Sequence, residues 1–155
     1  MKNLYNKDDL KLMRAAEDSL LVGQNRVAEL MKYAENTGIK RIGIAHCVGM
    51  TREANELKQR LGEKFDVYTV DCKYGRIPTA ELFEDDSARG TSCNPAGQAN
   101  FLSEKKTELN ISFGLCMGHD VIFNLKSKAP TTTLIVKDRK HKHNTYNEFI
   151  KPNNP

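Results

Sequence analysis

The chain has 155 residues, 39% of them hydrophobic, a size and composition that predict one domain around one core and exclude a low-complexity or fibrous chain. Its 24 basic and 20 acidic residues leave a net charge of only +4, densest in KDRKHKHN near the end, and no docking motif makes nucleic acid an expected partner. The start MKNLYNKDD is polar, without an apolar run or cleavage-site pattern, and no segment reaches membrane-spanning length, so a cytoplasmic protein without membrane contact is expected.

Apolar positions at Leu10, Leu12, Met13, Ala16 and Leu20 predict a helix over residues 8–22, and Val27, Leu30, Met31 and Ala34 a second one. Gly23 and Asn25 separate them, with Asn25 capping the second helix and Gly38 ending it. RIGIAH then reads as a strand, followed by a helix capped by Thr51, with Ala54, Leu57 and Leu61 on one face and Gly62 as its stop. FDVYTVD is a second strand, rich in β-branched and aromatic residues. Residues 73–92 form a long excursion containing Gly75, Pro78 and Gly90, with a turn of helix at TAELFE.

Asn94 and Pro95 supply the cap and first residue of a helix over 95–106, with Ala99 and Leu102 inward. The strand LNISFGL follows, then a helix from about Gly118 to Lys126 and the strand TTTLIVKD. Alternating strands and helices predict an α/β, single-domain, three-layer sandwich whose mostly parallel sheet has about four strands, Rossmann-like or flavodoxin-like. Within the single domain 1–155, residues 1–38 are an N-terminal helical segment, 41–139 the strand–helix core and 140–155 a basic tail.

Four cysteines stand singly in this scheme. Cys47, Cys72 and Cys116 each follow a predicted strand, and Cys93 precedes a helix cap, so all four are expected along the edge where open parallel sheets carry ligand sites. In a reducing cytosol such thiols serve as buried hydrophobes, metal ligands or catalytic groups more readily than as structural disulfides. Convergence at one edge favours a shared metal or redox site, and helix N-termini near Cys47 and Cys116 would favour thiolates or an anionic cluster.

His119 and Asp120 follow Cys116 closely. The histidine has three available roles, metal ligand, proton carrier or helix cap, whereas Asp120 suits the positive end of a helix dipole. His46 sits beside Cys47, but strand alternation turns it to the opposite side and leaves it outside the site. Lys73, Lys137, Asp138 and Arg139 fall at the same edge, where cations would steady a cluster or bind a phosphate or carboxylate. His141, His143 and Asn144 are placed to close over it.

The segments IGIAHCVGMTREANEL, FDVYTVDCKYG, SCNPAGQANFL, TELNISFGLCMGHDVIF and SKAPTTTLIVKDR with the following HN together resemble a prokaryotic family labelled predicted metal-binding proteins, domain of unknown function eighteen forty-seven. The resemblance points at Cys47, Cys72, Lys73, Cys93, Asn94, Pro95, Gln98, Cys116, Gly118, His119, Asp120, Lys137, Asp138, Arg139, His143 and Asn144 and supplies a location, not a reaction; there the four cysteines are expected as metal ligands, Lys73, Asn94, Gln98, Gly118, Lys137, Asp138, Arg139 and Asn144 around a cofactor, and His119, Asp120 and His143 as groups for chemistry. Two features depart from the family pattern: no cysteine precedes Cys47, and Asp71 stands where a second adjacent cysteine is common.

Three functions are compatible with these residues. The first is an iron–sulfur cluster supporting redox or Lewis-acid chemistry on a small molecule, serving a substrate or a redox partner. The second is a zinc-binding or metal-trafficking protein without catalysis, and the third an enzyme with a cysteine nucleophile, placed at Cys116 with His119 beside it. No G-x-G-x-x-G or P-loop pattern supports a nucleotide.

Overall fold

The structure is a computed structural model and describes residues 2–150; residues 151–155 of the expected basic tail lie outside the described residues. The chain divides into two compact units, residues 1–40 and 41–155.

The first unit is a helical pair. Helix α1 (Lys7–Glu17) opens on a capping box between Asn6 and Asp9, and helix α2 (Arg26–Thr37) opens on Asn25, whose side chain accepts from Val27 and Ala28 N–H. Gly38 closes α2 with φ +73°, the left-handed geometry that glycine adopts without penalty. Helix α1 stops five residues short of the expected boundary at 22. The chain turns at Asp18, the Ser19 hydroxyl donates to Ala15 O, and Asn36 Nδ2 donates to Ser19 Oγ at 3.0 Å, while Leu20 is exposed.

The second unit holds strands β1 (Arg41–His46), β2 (Asp66–Asp71), β3 (Leu109–Phe113) and β4 (Thr131–Ile135), all parallel in the order β2-β1-β3-β4. Helix α3 (Thr51–Gly62) joins β1 to β2, the short helix α4 (Thr79–Phe83) and α5 (Pro95–Glu104) lie between β2 and β3, and α6 (His119–Lys126) joins β3 to β4. The chain winds outward from β1 to β2, then returns across it to β3. Right-handed crossovers therefore place α3 on one face and α5 with α6 on the other. This is the expected Rossmann-like α/β sandwich, with a sheet that is wholly parallel.

The core follows from strand alternation. Ala45 and Val70 pack with Ala99 and Leu102 of α5 and Phe123 of α6. Gly43 belongs to the same face of β1, and a Cβ there would strike Asn110 Oδ1 and both Leu102 methyls, so only glycine admits α5 this close. Ala54, Leu57 and Leu61 bury the inner face of α3 as expected. Thr51 does not cap that helix: it is its first residue, and its hydroxyl donates to Val48 O at 2.7 Å. A turn of 3-10 helix over Val48–Met50 intervenes between β1 and α3, displacing the cap to Met50. None of the helices among the described residues is long and apolar enough to cross a membrane.

Candidate thiol site

Strand register begins the site. β1 and β2 pair from Arg41↔Asp66 to His46↔Asp71, so Cys47 and Cys72 leave neighbouring strands at the same level. His46 pairs with Phe113 on the other side, and Cys47 N–H donates to Phe113 O at 3.2 Å, which ties Cys47 to the β1/β3 junction. That junction is the topological switch point of this strand order, where open parallel sheets bind ligands.

Cys93 arrives by a different route. The excursion after β2 closes on itself: Pro78 bridges Thr91, Thr79 N–H donates to Gly90 O at 3.0 Å, and Ser92 N–H donates to Ile77 O at 3.0 Å. Lys73 fastens the base, its Nζ donating to Thr91 O and its N–H to Asp71 Oδ1 at 2.7 Å. Asn94 N–H then donates to Cys72 O at 2.7 Å, and the Cys93 and Cys72 sulfurs meet at 3.6 Å.

Gln98 locks the two strand ends together. The residue is fully buried, and its Nε2 donates to His46 O at 3.1 Å and Val70 O at 2.9 Å, the carbonyls one and two residues before Cys47 and Cys72. Its Oε1 is buried without a hydrogen-bond partner among the described residues. Asn94 caps α5 through Gly97 N–H at 2.8 Å and reaches Tyr74 O at 3.1 Å, so its work is to shape the loop.

The thiols differ in proton affinity. Burial pushes Cys47 up, but the Gly49 backbone N–H, the Lys137 ammonium and the Cys72 thiol act as donors to its sulfur and together leave its pKa lowered. Cys72 is 3% exposed, and burial pushes its pKa up to about 12 despite a hydrogen bond from Val48 N–H at 3.4 Å; the neighbouring Cys93 and Cys47 sulfurs push the same way. Cys47 is thus the more acidic, half-buried thiol and Cys72 the one that holds its proton more tightly.

Cys116 follows β3 by three residues, and its sulfur accepts from Arg139 Nη2 at 3.4 Å. Its loop turns at Gly114, with φ +65°, where a Cβ would strike Met50 Sδ. Gly118, with φ +83°, stands before α6, and Cys116 O accepts from the N–H groups of His119 and Asp120. No hydrogen bond among the described residues joins the His119 side chain to a cysteine, and Asp120 Oδ1 accepts from Val121 N–H at 2.8 Å.

The segment after β4 is braced internally. Asp138 Oδ1 accepts from His141 N–H at 2.9 Å, His143 Nδ1 accepts from Asp138 N–H at 3.1 Å, and Asn144 Nδ2 donates to Asn147 Oδ1 at 3.3 Å. His143 therefore holds backbone, as does Asp138. His46 is buried, with Nδ1 donating to Cys47 O at 3.0 Å, a contact that fixes the start of the loop. Sequence reasoning did not single out Val48 and Gly49, whose N–H groups face two sulfurs; the glycine two residues beyond Cys47 was the signal available.

Metal fit can be tested on the donors. A zinc–thiolate tetrahedron with Zn–S near 2.3 Å puts sulfurs about 3.8 Å apart, and the Cys72–Cys93 separation of 3.6 Å is close to that edge. Yet no group of three or more His, Cys, Asp or Glu side chains among the described residues is placed to hold a metal ion. As positioned, the thiols do not form a metal cage.

Comparison with known proteins places this arrangement in a family. The chain is 40% identical over 149 residues to the uncharacterized protein MJ0455 of Methanocaldococcus jannaschii, an alignment covering 91% of this chain and 77% of that one. No solved structure matches. Residues 1–134, which carry all four cysteines and the sheet up to its last residue but one, match the family described as protein of unknown function (DUF1847), and the chain belongs to that family.

Proposed function

We propose that this protein carries out thiol–disulfide chemistry, with Cys47 as the nucleophile and Cys72 as the resolving thiol. The observation that supports this reading best is the run of three free cysteines that starts at Cys47 beside the switch point, in which Lys137 and the Gly49 N–H lower the Cys47 pKa while burial raises that of Cys72. The nucleophile assigned from the sequence to Cys116 moves to Cys47, whose surroundings include the Gly49 N–H of its own loop, the Cys72 thiol and an ammonium. The Cys47 thiolate attacks one sulfur of a disulfide and expels the other as thiolate. Cys72 then gives up its proton to the solvent and displaces the remaining thiolate, leaving a Cys47–Cys72 disulfide and two reduced thiols.

A second reading is a metal centre. The 3.6 Å Cys72–Cys93 spacing supports a single thiolate-bound ion such as zinc. An iron–sulfur cluster, bound by three or four of Cys47, Cys72, Cys93 and Cys116, is the other form, supported by the cations at the same edge.

One preparation separates them. Protein purified anaerobically from iron- and zinc-replete cells is assayed for iron, acid-labile sulfide and zinc, then treated with one equivalent of a small disulfide and mapped by mass spectrometry. Thiol chemistry predicts a Cys47–Cys72 crosslink, absent in Cys47→Ser, in protein carrying no stoichiometric metal. Stoichiometric metal lost in Cys72→Ser, with no crosslink, overturns it.

A further inference from the structure

Two cations reach the thiol edge from the segment after β4. Lys137 Nζ lies beside the Cys47 sulfur, each of the two atoms 3.9 Å from where a Cβ on Gly49 would stand, and Arg139 Nη2 donates to Cys116 Sγ at 3.4 Å. Cys47 follows β1 and Cys116 follows β3, and these strands are neighbours, so both positive groups lie beside the switch point. Neither cation forms a salt bridge with a carboxylate among the described residues. The carboxylates of the same loops are engaged elsewhere: Asp71 by Lys73 N–H, Asp120 by Val121 N–H and Asp138 by His141 N–H. Arg139 is exposed, so its planar fork is accessible to a carboxylate from solvent.

We propose that the substrate is a small disulfide carrying carboxylate groups, drawn to Cys47 by Lys137 and Arg139; the proposal rests on the thiol–disulfide reading. The positive pair concentrates the anion beside Cys47 and stabilises the negative charge that grows on the departing sulfur as the Cys47–substrate bond forms. The product side balances as before: two protein thiols and one disulfide yield the protein disulfide and two carboxylate-bearing thiols.

The test compares three aliphatic disulfides of similar size: 3,3′-dithiodipropionate (dianion), 2-hydroxyethyl disulfide (neutral) and cystamine (dication). Each rate with the full-length protein is divided by its rate with the urea-unfolded chain, which removes differences in leaving group. The normalised dianion rate should exceed the dication rate by about tenfold at low salt, with the preference fading as ionic strength rises. Arg139→Gln and Lys137→Gln should each shrink the ratio severalfold, whatever they do to absolute rates. A ratio of one, or a preference for cystamine, with Cys47 still reacting fast, overturns the charge selection and leaves the nucleophile standing. Cys47 reacting no faster than the unfolded chain with all three reagents sinks both.

Discussion

At the end of β1, Cys47 is half buried and surrounded by donors, the Gly49 N–H and the Lys137 ammonium among them; at the end of β2, Cys72 is buried against two other sulfurs and receives one N–H from Val48. The strands are adjacent, parallel and in register, so backbone geometry treats the two positions alike. What divides them is the supply of positive charge against the cost of burial. One sulfur gives up its proton more readily than its neighbour, the inequality that the proposed pairing of nucleophile and resolving thiol requires.

The harshest way to break this comparison is to release the clamp beneath it. Gln98→Met removes the donor from His46 O and Val70 O in a site that water does not reach. Two hydrogen bonds lost in a buried site cost about 1–3 kcal/mol together, read as a lower urea midpoint at unchanged slope. The strand ends lose their fixed spacing, and the reactivities of Cys47 and Cys72 toward iodoacetamide should converge. A midpoint equal to that of the parent protein would show that the clamp carries no strain-bearing role.

A milder intervention sharpens the comparison from the Cys47 side. Lys137→Met removes a cation that favours the thiolate, so the Cys47 pKa rises toward the ordinary thiol value and its alkylation profile shifts to higher pH. At pH 7 alkylation should slow by up to about tenfold, the effect of one pKa unit. Cys72 should stay unreactive in both proteins until the pH nears about 12. An unmoved Cys47 midpoint would remove Lys137 from the explanation.

The smallest effect is expected in the segment that delivers Lys137. Glu148 accepts from Lys140 Nζ and His141 Nε2, both at 2.6 Å, and these contacts hold its carboxyl pKa down to about 2. Because that value is depressed, the staple's contribution is complete above the ordinary carboxylate range and is lost as pH falls through about 2. Glu148→Gln should speed amide exchange over residues 139–148 at neutral pH, while global stability stays within experimental error, since Lys140 and Glu148 are solvent-facing. A measurable fall in the urea midpoint would mean that the staple supports the sheet edge as well.

Much of the architecture was legible because its causes are local. Asn25 and Gly38 bound α2, and Asn94 and Pro95 open α5, through cap chemistry confined to a few residues. The apolar run RIGIAH gave β1 because a doubly covered parallel strand buries both faces, and LNISFGL gave β3 through Leu109, Ile111 and Phe113, with Asn110 and Ser112 buried on the opposite face. The boundaries that slipped were decided by contacts the pattern does not carry: Ser19 and Asn36 end α1 early, and the 3-10 turn takes the cap from Thr51. At the site, placement of the cysteines at one sheet edge could be read from the strand ends. Which sulfurs touch could not, because Cys93 is brought to Cys72 by a loop of about twenty residues closed through Pro78, Thr91 and Lys73.

The amino-acid order by itself determined the alternation of strands and helices and the position of each cysteine just beyond a regular element, because periodicity, caps and turns act over a few residues. The tertiary structure alone decided that Cys47 faces Lys137, that Cys72 is buried between two other thiols and that Cys116 pairs with Arg139. Proton affinity depends on distances of a few ångströms and on exclusion of water, and both are set only when register, crossover and loop closure bring remote segments together.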